Sequence, residues 1–396
     1  MEKPAIEGGK PIRETFLPYG KQFIDEEDIE SVVKTLKSDF LTTGPKVEEF
    51  ESSICEKTGS KYAVAVANGT AALHIACMSA GIEEGDEVIT SPITFAASSN
   101  AILYCKGKPV FSDINSKTLN MDIDDIEKNI TKKTKAIIPV HLTGEPCEMD
   151  RIQEIAQKHG LIVIEDAAHA LGAEYQGKKI GSISDMTEFS LHPVKNITTG
   201  EGGVVTTNSK EIYEKLKLFR GHGITRDKGI MSNNLGNWYY EQIELGYNYR
   251  ITDIQCALGL SQLKKIDVFM ERRQAIVNLY NEELSKIESL ELKESIKDVK
   301  SGNHLYIVKL KLEELKVDRN RIYEALIREN IGANLHYIPV YLHPYYQKLG
   351  YQKGLCKKAE EAYEQILTLP LFPAMEDNDA YDVINSLDKI LKFYRK

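Results

Sequence analysis

One segment of the chain reads Glu188-Phe-Ser-Leu-His-Pro-Val-Lys195-Asn-Ile-Thr-Thr-Gly-Glu-Gly-Gly203. Its first four residues are typical of a strand, and Pro193 prevents that strand from continuing because proline lacks the N–H that a sheet requires. The polar and glycine-containing residues after Lys195 predict a turn. Lys195 is therefore expected just beyond the carboxyl end of a strand, which is where open α/β sheets bind ligands.

Short apolar runs alternate with helical patterns on both sides of this segment. Apolar strands that are separated by helices predict a mostly parallel sheet, covered by helices on both faces. We predict an α/β domain with seven strands, at Tyr62–Val66, Glu87–Thr90, Val110–Phe111, Ala136–Val140, Leu161–Ile164, Glu188–Leu191 and Gly203–Thr206.

The C-terminal part of the chain has a different pattern, which predicts a smaller α+β unit. The elements expected there are a long helix from Ile251 to about Ile287, strands at His304–Leu310 and Ala333–His336, and helices at Arg319–Glu329 and Asp379–Phe393. We therefore predict a large domain with an N-terminal arm in residues 1–262 and a small domain in residues 263–396.

The composition predicts a cytoplasmic protein. The chain has 396 residues, 42% hydrophobic and 28% charged, and a formal net charge of -9, which disfavours binding to nucleic acid or to an acidic membrane. No run approaches the roughly 18 apolar residues of a membrane span, and the N-terminus has no apolar core of the signal-peptide type. The six cysteines are scattered without CxxC pairs, which indicates reduced thiols and no metal site.

A second chemical signal is Leu161-Ile-Val-Ile-Glu-Asp166-Ala-Ala-His169-Ala. Asp166 ends an apolar strand, where a carboxylate can pair with a protonated pyridine nitrogen, and His169 would reach the same ring if the turn is helical. Alone, Asp166 is also compatible with a helix N-cap and His169 with a buried structural histidine. Together with Lys195, whose amine attacks an aldehyde once burial or a nearby cation lowers its pKa, they favour a pyridoxal phosphate site.

Two further segments are compatible with the same cofactor. Ala67-Asn-Gly-Thr-Ala-Ala-Leu-His74 leads from a strand into a helix, whose first N–H groups, the Thr70 hydroxyl and the Ser190 hydroxyl could hold a phosphate. The same pattern is also a good helix start without any ligand. Phe95, in Ser91-Pro-Ile-Thr-Phe-Ala-Ala97, could stack on a pyridine ring or belong to the core.

In this order, the segments resemble the sugar aminotransferases of the DegT/DnrJ/EryC1/StrS family, whose members have the fold-type-I pyridoxal-phosphate fold. The resemblance covers nearly the whole chain. It is carried by Leu41-Thr-Thr-Gly44, Asn68-Gly-Thr-Ala-Ala-Leu-His74, Glu165-Asp-Ala-Ala-His-Ala-Leu-Gly172, Phe189-Ser-Leu-His-Pro-Val-Lys195, Glu201-Gly-Gly203, Gly246-Tyr-Asn-Tyr-Arg-Ile-Thr-Asp253 and His336-Tyr-Ile-Pro339.

The resemblance implies a role for each matched residue. Lys195 would carry the cofactor and move protons, Asp166 would pair with the pyridine nitrogen, and His169 would face the phenolic oxygen of the ring. Asn248 would reach the phosphate of a neighbouring subunit's cofactor, which implies a homodimer with shared sites. The remaining cofactor contacts implied are the phosphate cradle, Gly69, Thr70, Ala71 and Ser190, and the stacking residue Phe95.

Within the family, the segments His192-Pro-Val-Lys195 and Leu335-His-Tyr-Ile-Pro-Val-Tyr341 are most similar to enzymes of pseudaminic acid biosynthesis. This likeness implies transfer of an amino group from L-glutamate to a UDP-linked 4-keto-6-deoxy-N-acetylhexosamine. Asn196 departs from that subgroup and resembles enzymes that act on a UDP-4-ketopentose, so the sugar stays open. The substrate contacts implied are Tyr19, Asp39, Phe40, Leu41, Thr42, Leu335, His336, Tyr337 and Ile338.

Three alternatives differ from this interpretation. A Rossmann-type nucleotide-sugar oxidoreductase needs G-x-G-x-x-G after its first strand, and the chain has Asn68-Gly-Thr-Ala-Ala-Leu73 there. A non-catalytic sensor with the same fold has no need of both Lys195 and Asp166. A sugar dehydratase of the same fold would resemble relatives in which histidine replaces the lysine.

Overall fold

The computed structural model describes residues 2–233 and 235–396, and its centre is a seven-stranded sheet in the order β1-β7-β6-β5-β4-β2-β3. Strand β7 runs antiparallel to its neighbours β1 and β6, and the other adjacent pairs are parallel. The predicted mostly parallel sheet is confirmed. The strands are β1 Tyr62–Val66, β2 Glu87–Thr90, β3 Lys108–Phe111, β4 Thr134–Ile138, β5 Ile162–Asp166, β6 Met186–Ser190 and β7 Gly203–Thr207.

Helices cover both faces of this sheet. Alternate residues of a strand point to opposite faces, so Ala63 and Ala65 of β1 pack with Phe50 in one core cluster, while Val64 packs with Leu216 in another. In the described ranges, no helix is both long and apolar enough to cross a bilayer. The helices of this part are α1 Glu26–Leu36, α2 Pro45–Thr58, α3 Gly69–Ser79, α4 Ala97–Tyr104, α5 Ile123–Lys128, α6 Met149–His159 and α7 Lys210–Arg220.

A three-stranded antiparallel sheet forms the centre of the C-terminal unit, in the order β8-β9-β10. The predicted strand at Ala333–His336 is wrong, because Asn334 makes only an isolated bridge to Thr368. The elements are α8 Asp253–Leu284, β8 Leu290–Leu292, β9 Tyr306–Leu310, α9 Arg319–Arg328, α10 Pro344–Lys348, α11 Lys357–Gln365, β10 Ile366–Leu369 and α12 Asp377–Tyr394.

Helix α8 connects the two parts of the chain. It is continuous through the boundary predicted between residues 262 and 263. Its residues up to Met270 pack in the core of the large sheet, whereas residues from Ile276 onward pack in the C-terminal core. Leu17 of the N-terminal arm also packs in the C-terminal core. The exact division of the chain stays a prediction.

Candidate active site

A cavity of about 1060 Å³ lies at the carboxyl ends of β1, β5 and β6. These strands are parallel to one another, so Val66, Asp166 and Ser190, their last residues, share one edge of the sheet. Residues 334–337 of the C-terminal unit and Tyr19 of the arm complete the wall. The cavity therefore lies where the sequence predicted a ligand, and every predicted cofactor residue except Asn248 lines it.

Lys195 lies in the turn that follows β6. Its backbone N–H donates to the His192 carbonyl at 2.9 Å, which closes the turn. Burial lowers the pKa of the Lys195 ammonium to about 8, while negative charge on Asp166 or on Glu188 opposes the shift. A substantial fraction of this side chain is therefore a neutral amine near pH 8, which is the form that attacks a carbonyl carbon.

The residue after the lysine holds this turn against the rest of the protein. Asn196 is buried, and its amide donates to the carbonyls of Leu171 and Gly302 at 3.2 and 2.9 Å. It does not line the cavity. Asn196 therefore ties the turn that contains Lys195 to the backbone of residues 171 and 302, outside the cavity.

Asp166 is the last residue of β5 and is buried. Its Oδ2 accepts a hydrogen bond from the Ser98 hydroxyl at 2.5 Å, and its Oδ1 accepts one from the Ala168 N–H at 3.2 Å. The Ser98 hydroxyl also lies 2.6 Å from that of Thr94. Helix α4 thus orients the carboxylate, which supplies a fixed negative charge for a cationic ring nitrogen.

His169 lies in the turn after Asp166 and is also buried. Its Nε2 is 3.3 Å from the Tyr337 hydroxyl, and its ring centroid is 4.4 Å from that of His304. Burial, assisted by the positive charge of Lys195, holds the pKa of His169 well below its usual range. His169 is therefore a neutral imidazole that can share a hydrogen bond with a phenolic oxygen.

The start of α3 provides the donors for a phosphate. Asn68 caps the helix, and its Oδ1 accepts the Ala71 N–H at 2.8 Å. The N–H groups of Gly69 and Thr70 belong to the first turn and have no carbonyl partner within the helix. A Cβ on Gly69 would lie 2.6 Å from Glu188 Oε1 and 3.2 Å from Ser190 Oγ, so only glycine leaves this cradle open. The donor set fits the phosphate of pyridoxal phosphate.

The other predicted contacts are divided between the cavity and the surface. Phe95 lines the cavity with 64% of its surface exposed, and its ring centroid is 6.4 Å from that of Tyr337. Of the predicted substrate residues, Tyr19, Leu335, His336 and Tyr337 line the cavity. Outside it, at the surface of the single chain, are Ile338, Asp39, Phe40, Leu41 and Thr42.

Asn248 points away from the cavity of its own chain. The backbone of Asn248 forms a bridge with Gly221 in an extended segment. Successive side chains of such a segment point to opposite sides, so the side chains before and after Asn248 point away from its own. Those neighbours, Tyr247 and Tyr249, line the cavity, whereas Asn248 is exposed. Asn248 therefore does not line the cavity of its own chain.

The structure also places residues in the site that the sequence reasoning missed. Glu188 lines the cavity beside Asp166. It lies on the same face of β6 as Ser190, and this alternation was the signal that could have found it. Ser98 and His304 come from elements far away in the sequence, so only the folded chain brings them to Asp166 and His169.

The family model that describes DegT/DnrJ/EryC1/StrS aminotransferases matches residues 22–388. The chain belongs to this family. The predicted family, its fold and the predicted enzyme class, an aminotransferase, are confirmed, which leaves the Rossmann oxidoreductase without support.

Three relatives show what the chain is similar to. It is 42% identical to the spore coat polysaccharide biosynthesis protein SpsC of Bacillus subtilis, over 96% of this chain and 98% of that protein. It is 40% identical to the UDP-4-amino-4,6-dideoxy-N-acetyl-beta-L-altrosamine transaminase of Campylobacter jejuni, over 96% and 99%. The PLP form of Spr1654 from Streptococcus pneumoniae is 33% identical and superposes with a TM-score of 0.88, over 96% and 99%.

Proposed function

We propose that this family member transfers the amino group of L-glutamate to C4 of a UDP-linked 4-keto-6-deoxy-N-acetylhexosamine, as in pseudaminic acid biosynthesis. The chain is a sugar aminotransferase, and its cofactor is pyridoxal phosphate. The observation that carries the proposal is that Lys195, whose ammonium has a lowered pKa, shares one cavity with the carboxylate of Asp166 and an open phosphate cradle.

Each of these residues has a defined task. Bound pyridoxal phosphate supplies an aldehyde and a protonated ring that withdraws electrons. Asp166, held by Ser98, keeps the proton on the ring nitrogen. The neutral Nζ of Lys195 takes the proton from the donor's Cα as a general base and returns a proton as a general acid. His169 would hold the pyridine ring of the cofactor by a hydrogen bond with its phenolic oxygen.

The identity of the keto sugar is proposed from the similarity to a named relative and from the size of the cavity. The Campylobacter relative carries the name of a UDP-sugar transaminase and matches nearly the whole chain. The cavity volume of about 1060 Å³ lies at the upper end of the usual range for ligand sites, so a nucleotide sugar is a reasonable occupant. Tyr19 and His336, with ring centroids 5.4 Å apart, provide aromatic surface for a sugar or a base.

A second candidate is another nucleotide-linked keto sugar, such as a UDP-4-ketopentose or a dTDP-4-keto-6-deoxyhexose. The similarity to SpsC keeps this candidate open, because its identity of 42% slightly exceeds the 40% of the Campylobacter transaminase and its name refers to a spore coat polysaccharide without specifying a sugar. The two candidates share the chemistry of Lys195 and Asp166 and differ in the carbohydrate.

We further propose a homodimer with shared sites. The hairpin of residues 222–247, whose Asn234 lies outside the described residues, exposes apolar side chains that a single chain leaves in water. Leu245 and Trp238 are 72% and 68% exposed. Several large apolar side chains exposed on one hairpin are expected where a second chain covers them. The outward direction of Asn248 supports a contribution to the partner's site.

The experiment combines the purified chain, pyridoxal phosphate and ¹⁵N-labelled L-glutamate with a panel of UDP- and dTDP-linked 4-keto sugars. Mass spectrometry of the products identifies the sugar that receives ¹⁵N. We expect the label in the UDP-linked 4-keto-6-deoxy-N-acetylhexosamine. Label only in a ketopentose or a dTDP sugar would select the second candidate, and no label in any sugar would refute both.

A further inference from the structure

Glu188 is a buried acid that the chemistry described above does not use. It lies on β6, its side chain is fully buried, and within the described residues no N–H or O–H group donates to either carboxyl oxygen. Its side chain nevertheless lines the cavity, with Oε1 directed toward Gly69 at the phosphate cradle. A buried carboxyl without partners is costly when it is charged, so this position calls for an explanation.

The surroundings of Glu188 contain a second acid at close range. Glu188 and Asp166 are opposite each other in the register of β6 and β5. Burial, reinforced by the negative charge of Asp166, holds the pKa of Glu188 well above its usual range, and the positive charge of Lys195 opposes this. The other titratable groups that line the same cavity include His169, His304, His336 and Tyr337.

Two neighbouring buried carboxyls do not both ionise at neutral pH, because like charges at short range repel in a medium of low polarity. Asp166 has two donors, Ser98 and the Ala168 N–H, whereas none of the residues that the structure describes donates to Glu188. The negative charge therefore belongs on Asp166, and the proton belongs on Glu188.

We propose that Glu188 is a neutral carboxylic acid that donates its proton in a hydrogen bond to the carboxylate of Asp166, and so acts as a positioning residue for it. This inference deepens the proposed function, because it rests on Asp166 as the partner of the ring nitrogen. The pair then carries one negative charge in total. A single charge suits the site, because a second anion beside Gly69 would repel the phosphate.

The protonation state of Glu188 also affects the pKa of Lys195. Negative charge on Glu188 would raise the pKa of Lys195 and keep the amine protonated. A neutral Glu188 removes this effect, so that the amine of Lys195 is available at lower pH. In the competing arrangement, an ionised Glu188 forms an ion pair with the ammonium of Lys195. Both residues are charged in that arrangement, whereas Glu188 is neutral in the proposed one and the amine of Lys195 loses its proton more easily.

Infrared difference spectroscopy of the wild-type chain against Glu188→Gln distinguishes the two arrangements. The spectra are recorded at neutral pH, with and without bound pyridoxal phosphate, in water and in deuterium oxide. We expect the wild type to show the deuterium-sensitive carbonyl band of a protonated carboxylic acid in both states, which the variant lacks. The proposal would be overturned if the wild type, with or without pyridoxal phosphate, instead showed two carboxylate bands that the variant lacks.

Two substitutions test the positioning role in the loaded enzyme. Glutamine can still donate to Asp166, so Glu188→Gln should keep kcat within about threefold of wild type. Glu188→Leu removes the donor and should lower kcat by about 10- to 100-fold, the usual effect of losing a hydrogen bond to a charged group, with little change in KM. Equal loss in both variants would contradict the proposal.

The infrared experiment requires no sugar. A chain that fails to aminate any sugar can still show the carbonyl band of Glu188, so failure of the proposed function and failure of this inference are distinguishable.

Discussion

Asp166 and Glu188 lie opposite each other on neighbouring parallel strands, and both side chains line the cavity that contains Lys195. The strand register and the turn after β6 thus bring two buried acids and one amine into the same cavity. Burial lowers the pKa of the lysine, and the acids oppose that change. The reactivity of Lys195 therefore depends on how many of these acids are charged.

Removal of the amine should abolish the reaction. We expect Lys195→Ala to lower transamination by about 10³-fold or more, because proton transfer by a positioned group is worth about 10²- to 10⁴-fold and this residue also carries the cofactor. The visible absorbance of the loaded enzyme should disappear as well. Lys178→Ala, at an exposed position away from the cavity, is the matched control and should be unchanged. Full turnover of Lys195→Ala would remove this lysine from the mechanism.

The carboxylate of Asp166 should be needed for turnover and not for folding. Asp166→Asn preserves size but loses the negative charge that holds the ring proton, so kcat should fall by about 10²-fold or more. Ser98→Ala removes one donor to Asp166 and should cost about tenfold. Steady-state kinetics with circular dichroism as the folding control tests both. A Ser98→Ala loss as large as that of Asp166→Asn would show that Ser98 does more than orient Asp166.

Capture of the cofactor should depend on pH. Because burial lowers the pKa of the Lys195 ammonium to about 8, the neutral amine is the minor form below that pH and the major form above it. The rate at which the cofactor-free chain develops visible absorbance with pyridoxal phosphate should rise with pH and level off above about 8. Stopped-flow absorbance measures this rate, and a midpoint near the ordinary pKa of a lysine would contradict the account.

The phosphate cradle should not tolerate a side chain at position 69. Gly69→Ala would place a Cβ 2.6 Å from Glu188 Oε1 and 3.1 Å from Ser190 Cβ. Loss of one or two phosphate hydrogen bonds should weaken the binding of pyridoxal phosphate by about tenfold or more. Equilibrium titration measures the Kd, with Gly229→Ala in the exposed hairpin as the control. An unchanged Kd for Gly69→Ala would place the phosphate elsewhere.

The exposed hairpin should mediate dimerisation. Leu245→Asp introduces a charge where 72% of the leucine surface is open in the single chain, and the dimer should weaken by about 2 kcal/mol or more. Light scattering after size exclusion gives the molar mass. Leu349→Asp, at an exposed leucine after α10, is the control and should stay dimeric. A wild type that elutes as a monomer would refute the proposed assembly.

The sequence predicted the large sheet because each strand is a short apolar run between helices. The prediction failed in the C-terminal unit, where the run of residues that resembles a strand is not the segment that pairs with the sheet. Residues 333–336 are apolar enough for a strand, but Asn334 makes a single bridge, and the strand that pairs with β9 is instead Ile366–Leu369. This strand follows α11 without an intervening loop, so no turn signal marks its start.

Only part of the site was predicted, because some of its residues are brought together by tertiary contacts alone. Lys195 and Asp166 were found because both lie at the carboxyl ends of parallel strands, which meet at one edge of the sheet. Glu188 was missed because it was counted only as the first residue of a strand. Ser98 and His304 lie in other elements, and only tertiary contacts bring them to the site.

Borohydride reduction of the cofactor-loaded chain tests the central claim most directly. Reduction makes the bond between cofactor and lysine permanent, and mass spectrometry of the digested protein then identifies the modified residue. We predict a pyridoxyl adduct on Lys195 alone. An adduct on another lysine, with Lys195 unmodified, would contradict the assignment of this residue and of the site built around it.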